Sequence, residues 1–276
     1  MLKVALRIAA AISGAAIAAA LAGTWRWNRE TAAALARLGG PTSADPYRES
    51  LLVALPVPVQ RYFHTTLKDG QRMIRAAQVT QEAEFFINNA WRPLKATQSF
   101  RTSPPAFVWD ARIDMAPLLP AYVRDSHIDG HGAMKAGLYG VITLANLSNL
   151  HELSLGALQR FLGEAIWLPT ALLPSPLVTW TPGDDHSATA TLRDAGHEVS
   201  LRFEFDDTGS VRTISGDRYK GAQGNFSLEK WRITCGEVRE RNGMRIPMRC
   251  EVAWIDQDIP QPYWSGHVTS IDYQYN

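Results

Sequence analysis

The 276-residue chain carries 28 Lys and Arg against 27 Asp and Glu, so its formal net charge is +1. That balance excludes a broad basic surface for nucleic acid. With 46% hydrophobic and 20% charged residues, the composition also excludes wholesale disorder.

The first element is apolar. Residues 8–25 (IAAAISGAAIAAALAGTW) hold no charge. As a helix they would reach about 27 Å, enough to cross a bilayer core. Lys3 and Arg7 precede the run, and Trp25 and Trp27 follow it where an interfacial aromatic belt would sit, with Arg26 and Arg29 close by. Residues 1–27 therefore read as a transmembrane anchor or a signal peptide. Ala20-Leu21-Ala22 supplies small residues for cleavage, and the length of the run favours an anchor. Lys3 and Arg7 favour a cytoplasmic N-terminus. The body is then expected on the extracytoplasmic side, membrane-anchored, or exported and soluble if the segment is cleaved.

Residues 28–38 are Ala- and Leu-rich and stop at Gly39-Gly40-Pro41, which makes residues 28–50 a helical stalk or linker. Residues 51–276 read as one domain. Asp45-Pro46 opens a short helix, and residues 57–62 form another. From Arg75 the period changes to two. Strands are expected over 76–87, 94–101, 106–114, 122–128 and 134–144, with turns at Asn88-Asn89 and Asp129-Gly130. Residues 151–167 place Leu155, Leu158, Phe161, Leu162, Ala165 and Ile166 on one helical face. A proline-rich apolar loop follows. Further strands are expected over 188–193, 198–205, 211–215, 226–237, 245–255 and 267–275. Short strands joined by turns pair antiparallel. The predicted fold is mainly β (α+β): a strongly curved antiparallel sheet of about ten strands around one long helix. It is preceded by the N-terminal transmembrane or signal helix and short helices. A complete barrel is the alternative.

Cys235 and Cys250 allow a register test. A two-residue loop at Asn242-Gly243 pairs Arg241 with Met244 and, counting back, Cys235 with Cys250. Opposed strand residues lie within disulfide range, and export would favour oxidation. The competing reading is two reduced, buried thiols.

No nucleophile elbow, phosphate loop, dinucleotide-binding glycine pattern or H-E-x-x-H helix is present, and no cofactor is implied. Three polar clusters remain. His127, Asp129 and His131 would share a face on a continuous strand, but Asp129-Gly130 is a turn signal, so no metal site is assigned. Asp110, Arg112 and Asp114 share a strand face, either as ion pairs or as a charged ring at a cavity mouth. Arg160 and Glu164, near Gln159 on the central helix, stand at i, i+4 and can pair with each other, or with Asp110 or Arg112.

The segments LPVPVQRYF (55–63), PPAFVWDARIDMAP (104–117), DGHGAMKAGLYG (129–140), LQRFLGEAIWLPTALLP (158–174), ATATL (188–192), GMRIPMRCEVAW (243–254) and QPYWSGHVTSIDY (261–273) carry a resemblance. Together they resemble a family of uncharacterised bacterial proteins with a domain of unknown function, over about residues 51–275. The resemblance implies no activity and brings no catalytic residues. In architecture the chain also resembles the lipoprotein carriers and receptors of the bacterial envelope, which bind acyl chains in an apolar concavity.

Three functions follow as expectations. The first is a membrane-tethered protein that binds a lipid or another apolar ligand in the concave sheet. Its candidate ligand-binding residues are Trp109, Asp110, Arg112, Arg160, Phe161, Glu164 and Trp167, and it requires an open cavity lined by Trp109, Phe161 and Trp167. The second is a non-catalytic scaffold with an exposed apolar patch. The third is an envelope hydrolase in which Asp110, Arg112 and Glu164 converge. The expected partners are the membrane and an apolar small molecule, with no nucleic acid.

Overall fold

A computed structural model of the chain describes residues 2–39, 45–222 and 225–276, with side chains described throughout except at 2–12 and 222. Thirteen strands form one antiparallel sheet. In chain order they are β1 (Ile74–Ile87), β2 (Ala90–Arg101), β3 (Ala106–Ala116), β4 (Leu119–Ile128), β5 (His131–Leu138), β6 (Ile142–Ser148), β7 (Val178–Pro182), β8 (Ser187–Asp194), β9 (His197–Phe205), β10 (Val211–Ala222), β11 (Asn225–Arg241), β12 (Met244–Asp256) and β13 (Ile259–Tyr275). Three helices accompany them: α1 (Leu2–Ala36), α2 (Val57–Thr66) and α3 (His151–Glu164).

The sheet is two meanders joined back to back. β1 to β6 run outward one way and β13 to β7 the other, and β1 pairs with β13 where the two meet. The sheet curls into a half-barrel. It ends at β6 and β7, so it is not a hydrogen-bonded closed barrel. α3 connects the meanders and touches β3, β4 and β5 on one arm and β8, β9 and β10 on the other, which places it inside the curl. Gly132 on β5 permits that seat. A Cβ there would stand 2.5 Å from the Leu153 carbonyl oxygen, and the Gly132 amide donates to Ser154 Oγ at 3.0 Å.

Alternation builds the core. Val199, Leu201 and Phe203 of β9, Ala188, Ala190 and Leu192 of β8, and Phe107, Trp109 and Ala111 of β3 all point inward and are buried. α3 covers them with Leu158, Phe161 and Leu162. α2 fills one end with Val59, Tyr62 and Phe63, and Tyr62 meets Phe205 at 5.7 Å between ring centroids.

Several expectations need correction. The strand count is thirteen rather than about ten. The expected strand 134–144 is two strands that turn at Tyr139-Gly140, where Tyr139 has φ 51° and Gly140 φ 65°. β7 lies just beyond the proline-rich loop, where no element is expected from the sequence. The helix inside the curl has 14 residues, and the long helix is α1 with 35. The short helix expected near residue 45 is only a 3-10 turn over Glu49–Leu52.

The transmembrane helix expected within residues 1–27 is not shown. Among the described residues no helix is long and apolar enough to cross a membrane, and residues 8–12 of the expected span have no described side chains. α1 runs unbroken through both the anchor and the start of the stalk. From Gly23 to Arg37 it lies on the convex face of β3, β4 and β5. Trp27 Nε1 and Thr31 Oγ1 each donate to a carboxylate oxygen of Asp110 at 2.9 Å. Glu30 accepts from Arg124 at 2.9 Å and Lys135 at 2.6 Å, and Arg37 donates to Asp129 at 2.9 Å. At Gly23 the helix backbone touches the β5–β6 turn so closely that a Cβ on Gly140 would stand 2.6 Å from the Gly23 carbonyl oxygen.

Candidate functional site

Inside the curl, α3 carries a polar group into an apolar core. Arg160 donates to Glu164 Oε1 at 2.8 Å, one turn on, and to Asp125 Oδ2 of β4 at 2.9 Å. Its guanidinium lies over the rings of Trp109 (4.8 Å) and Phe107 (5.2 Å). Gln98 Nε2 donates to Glu164 Oε2 at 2.6 Å, and Trp109 Nε1 donates to Gln81 Oε1 at 2.9 Å. Burial disfavours the Arg160 charge, but Glu164 and Asp125 more than offset this and raise its pKa. Every member of this chain of contacts has a partner, so it fixes the rotation of α3 against β1 to β4.

The structure brings Trp109, Arg160 and Glu164 together. It separates the others. Asp110 and Arg112 lie on the convex face, where Asp110 holds α1 and Arg112 pairs with Asp114 at 3.2 Å. Arg160 therefore pairs with Asp125 rather than with Asp110, and Glu164 pairs with Arg160 rather than with Arg112. Glu164 and Asp110 are on opposite faces of the sheet, and the convergence that a hydrolase would need is not formed.

The cavity expected between Trp109, Phe161 and Trp167 is replaced by packing. These side chains are 4%, 2% and 3% exposed. Phe161 meets Phe100 at 6.1 Å, and Trp167 Nε1 donates to the Pro247 carbonyl at 3.0 Å. α3 occupies the space that a ligand would need. A shallow cleft of about 260 Å³ does lie beside Asp110 and Arg112, but on the convex face, closed on one side by Thr24, Trp27 and Asn28 of α1.

A different cluster stands at the border of the concave face where β1, β10 and β12 end. Trp254, Tyr263 and Phe85 are partly exposed there. Trp254 and Tyr263 stack with centroids 5.7 Å apart at 21°, and Phe85 meets Tyr263 edge-on at 5.9 Å. Trp231 Nε1 donates to the Tyr263 hydroxyl at 3.0 Å and holds it in place. Arg218 lies 5.0 Å over Trp231 and 5.8 Å over Trp254, and Lys220 lies 5.3 Å over Trp254. Arg218 donates to the Gly156 carbonyl of α3 at 3.2 Å. Among the described residues neither cation is in an ion pair.

Sequence reasoning missed this cluster. The signal was present: Gly216, Arg218 and Lys220 continue the period of two on β10, opposite Trp231, Glu229 and Ser227 of β11, on the face that also carries Trp254 of β12. Ending the expected strand at Ser215 put both cations in a loop.

The remaining polar candidates are structural. Asp129-Gly130 is a turn with φ 54° and 81°. His127 is fully buried and joins Asp194 of the opposite arm at 2.9 Å, Asp129 faces Arg37 and Arg101, and His131 is exposed. No group of three His, Cys, Asp or Glu side chains is placed to hold a metal among the described residues. Cys235 and Cys250 face each other in the register counted from Asn242-Gly243, but both are free thiols. A hydrogen bond with Cys235, together with burial, holds the Cys250 pKa well above the ordinary thiol range. That disfavours the thiolate through which thiols oxidise.

A model of the family of unknown function DUF6920 matches residues 53–273. The chain belongs to that family. Two solved structures resemble the DUF6920 chain distantly. A DUF1329 family protein from Desulfovibrio piger is 8% identical, covering 72% of this chain and 86% of its own, with a TM-score of 0.39. A β-barrel-like protein of domain DUF1849 from Brucella abortus is also 8% identical, covering 74% and 99%, with a TM-score of 0.26. Curated proteins give no match.

Proposed function

We propose that this chain is a non-catalytic, membrane-attached binding protein that takes an apolar ligand bearing an anionic group at the mouth of its curled sheet. One observation carries the reading. Two cations, Arg218 and Lys220, are stacked on tryptophan faces without a carboxylate partner among the described residues, beside the partly exposed Phe85, Trp254 and Tyr263. An acylated anion gains both apolar burial and a charge partner at such a surface. The ligand lies at the border of the cup rather than in its depth, because α3 and its polar group fill the interior. The uncharged run 8–25 supports membrane attachment, with the body extracytoplasmic by the positions of Lys3 and Arg7.

The test uses the full chain in mild detergent with cis-parinaric acid, a fluorescent fatty acid, and its methyl ester. The acid should bind the native chain more tightly than the ester. Arg218→Ala should weaken the acid about ten-fold, equivalent to ~1.4 kcal/mol, and remove the preference over the ester. Trp254→Ala should weaken both, and Lys68→Ala, at the opposite border, should change neither. Equal binding of acid and ester to native and Arg218→Ala chains would overturn the reading.

A scaffold role has its own supporting observation. The edge strand β6 is unpaired on one side and exposes Ile142 and Leu144.

A further inference from the structure

The path of α1 relates the mouth to a lipid surface. Arg37 meets the β4–β5 turn at one border of the sheet, and Gly23 meets the β5–β6 turn at the other. α1 therefore runs alongside β4 from border to border, and residues 2–22 project beyond the second border by about 30 Å at 1.5 Å per residue. Residues 13–19 of that projection are exposed, and no residue from Ile8 to Trp25 is charged. Trp25 sits at the level of the border with Arg29 over its ring at 4.7 Å, and Arg26 reaches back to the Gly140 carbonyl.

The turns at this border break local rules. The β3–β4 turn places Leu118 at φ 60° with 89% of its surface exposed. A leucine in the left-handed region is strained by about 1–3 kcal/mol, where Asn or Gly would relieve it. At the opposite border the turns at Asp129-Gly130 and Asn242-Gly243 use glycine as expected. Next to Leu118, the β5–β6 turn exposes Val141 and Ile142. The uncharged stretch of α1 emerges against the β5–β6 turn, and the exposed, strained Leu118 adds a second apolar turn to the same border.

The geometry points to a bilayer surface as the occupant of this border: the β3–β4 and β5–β6 turns insert at the interface from which α1 emerges. The inference rests on the membrane-attached reading above and deepens it. It turns the mouth, which opens at the same border of the sheet, toward the lipid. Leu118, Val141 and Ile142 would lie at headgroup depth with Trp25, while Arg26 and Arg29 reach the phosphates. An acylated anion could then pass between bilayer and mouth without crossing water.

The experiment places single cysteines on the full chain at Leu118, Ile142 and Ile17, and at Val53 near the opposite border. Each is labelled with an environment-sensitive fluorophore, and the native Cys235 and Cys250 stay protected by burial. The chains are reconstituted in phosphatidylcholine vesicles with nitroxide on the acyl chains. Labels at Leu118→Cys, Ile142→Cys and Ile17→Cys should lose most of their emission, and Val53→Cys should keep it. Loss at Ile17→Cys alone would overturn the docked border while leaving membrane attachment intact. No loss at any site would overturn both, and the parinaric acid result would stand by itself. Equal loss at Val53→Cys would also contradict the orientation.

Discussion

Replacing Arg160 with methionine isolates the polar group under α3. The substitution keeps an apolar stem against Trp109 and Phe107 but removes the charge that Asp125 and Glu164 share. Glu164 keeps its Gln98 donor, whereas Asp125 loses its one side-chain partner among the described residues. The side chains of Arg160, Glu164 and Asp125 are 16%, 13% and 31% exposed. Breaking a fully buried pair by removing one partner costs about 3–5 kcal/mol. The partial exposure of Asp125 sets the expectation at the low end, about 3 kcal/mol. At roughly 2–4 °C per kcal/mol for a domain of this size, the midpoint should fall by roughly 10 °C. The loss comes from stranded charge. Arg160→Met combined with Asp125→Asn and Glu164→Gln should therefore recover most of it. Urea unfolding followed by tryptophan fluorescence, with coincident circular dichroism, measures both variants. A single-variant cost below about 1 kcal/mol, or a triple variant no better than the single, would refute the reasoning.

Acid should loosen α1 from the sheet. Burial works against the Glu30 charge, but hydrogen bonds from Lys135 and Arg124 offset it and leave the pKa below its ordinary 4.5. A lowered carboxylate stabilises the folded state above that ordinary value and ceases to do so as pH falls through the lowered one. Asp129, held down by Arg37, acts the same way. Amide exchange over residues 24–36 should thus accelerate relative to the sheet below the carboxylate range, and a constant ratio would count against the clamp. His127→Ala strands Asp194 in the seam between the two arms. It should cost about 1–3 kcal/mol and speed exchange around residues 126–132 and 193–198 before the rest of the sheet. Cys235 and Cys250 should resist alkylation in the folded chain and react on unfolding. An intact mass lower by about 2 Da, two hydrogens, would show the disulfide instead.

The meander was legible because its information is local. Asn88-Asn89, Asp129-Gly130 and Asn242-Gly243 announce turns, and the alternation of Val199, Leu201 and Phe203 announces a face. The register from Asn242-Gly243 to the facing cysteines came from a loop length alone. What the sequence hid depends on distant partners. Tyr139 enters a left-handed turn that its residue type does not advertise, so β5 and β6 read as one strand. Arg160 had Glu164 on its own helix and Asp110 on β3 as acidic candidates. Asp125 becomes its partner only because β4 presents that side chain to the inside while Asp110 on β3 points outward. Trp27 read as part of an interfacial aromatic belt and Thr31 as a stalk residue, because nothing within their own helix signals the Asp110 carboxylate. The mouth was missed for a similar reason: Arg218 and Lys220 acquire meaning only once β10 extends to Ala222 and its register sets them over Trp231 and Trp254.

Native mass spectrometry of the full chain, released gently from a bacterial envelope containing lipid, asks most directly whether the mouth holds an acylated anion. The native chain should carry one bound species that extracts into organic solvent and ionises as an anion, and Arg218→Ala combined with Trp254→Ala should lose it. A native chain with no bound species, or one retained equally by the double variant, would contradict the mouth as a binding site.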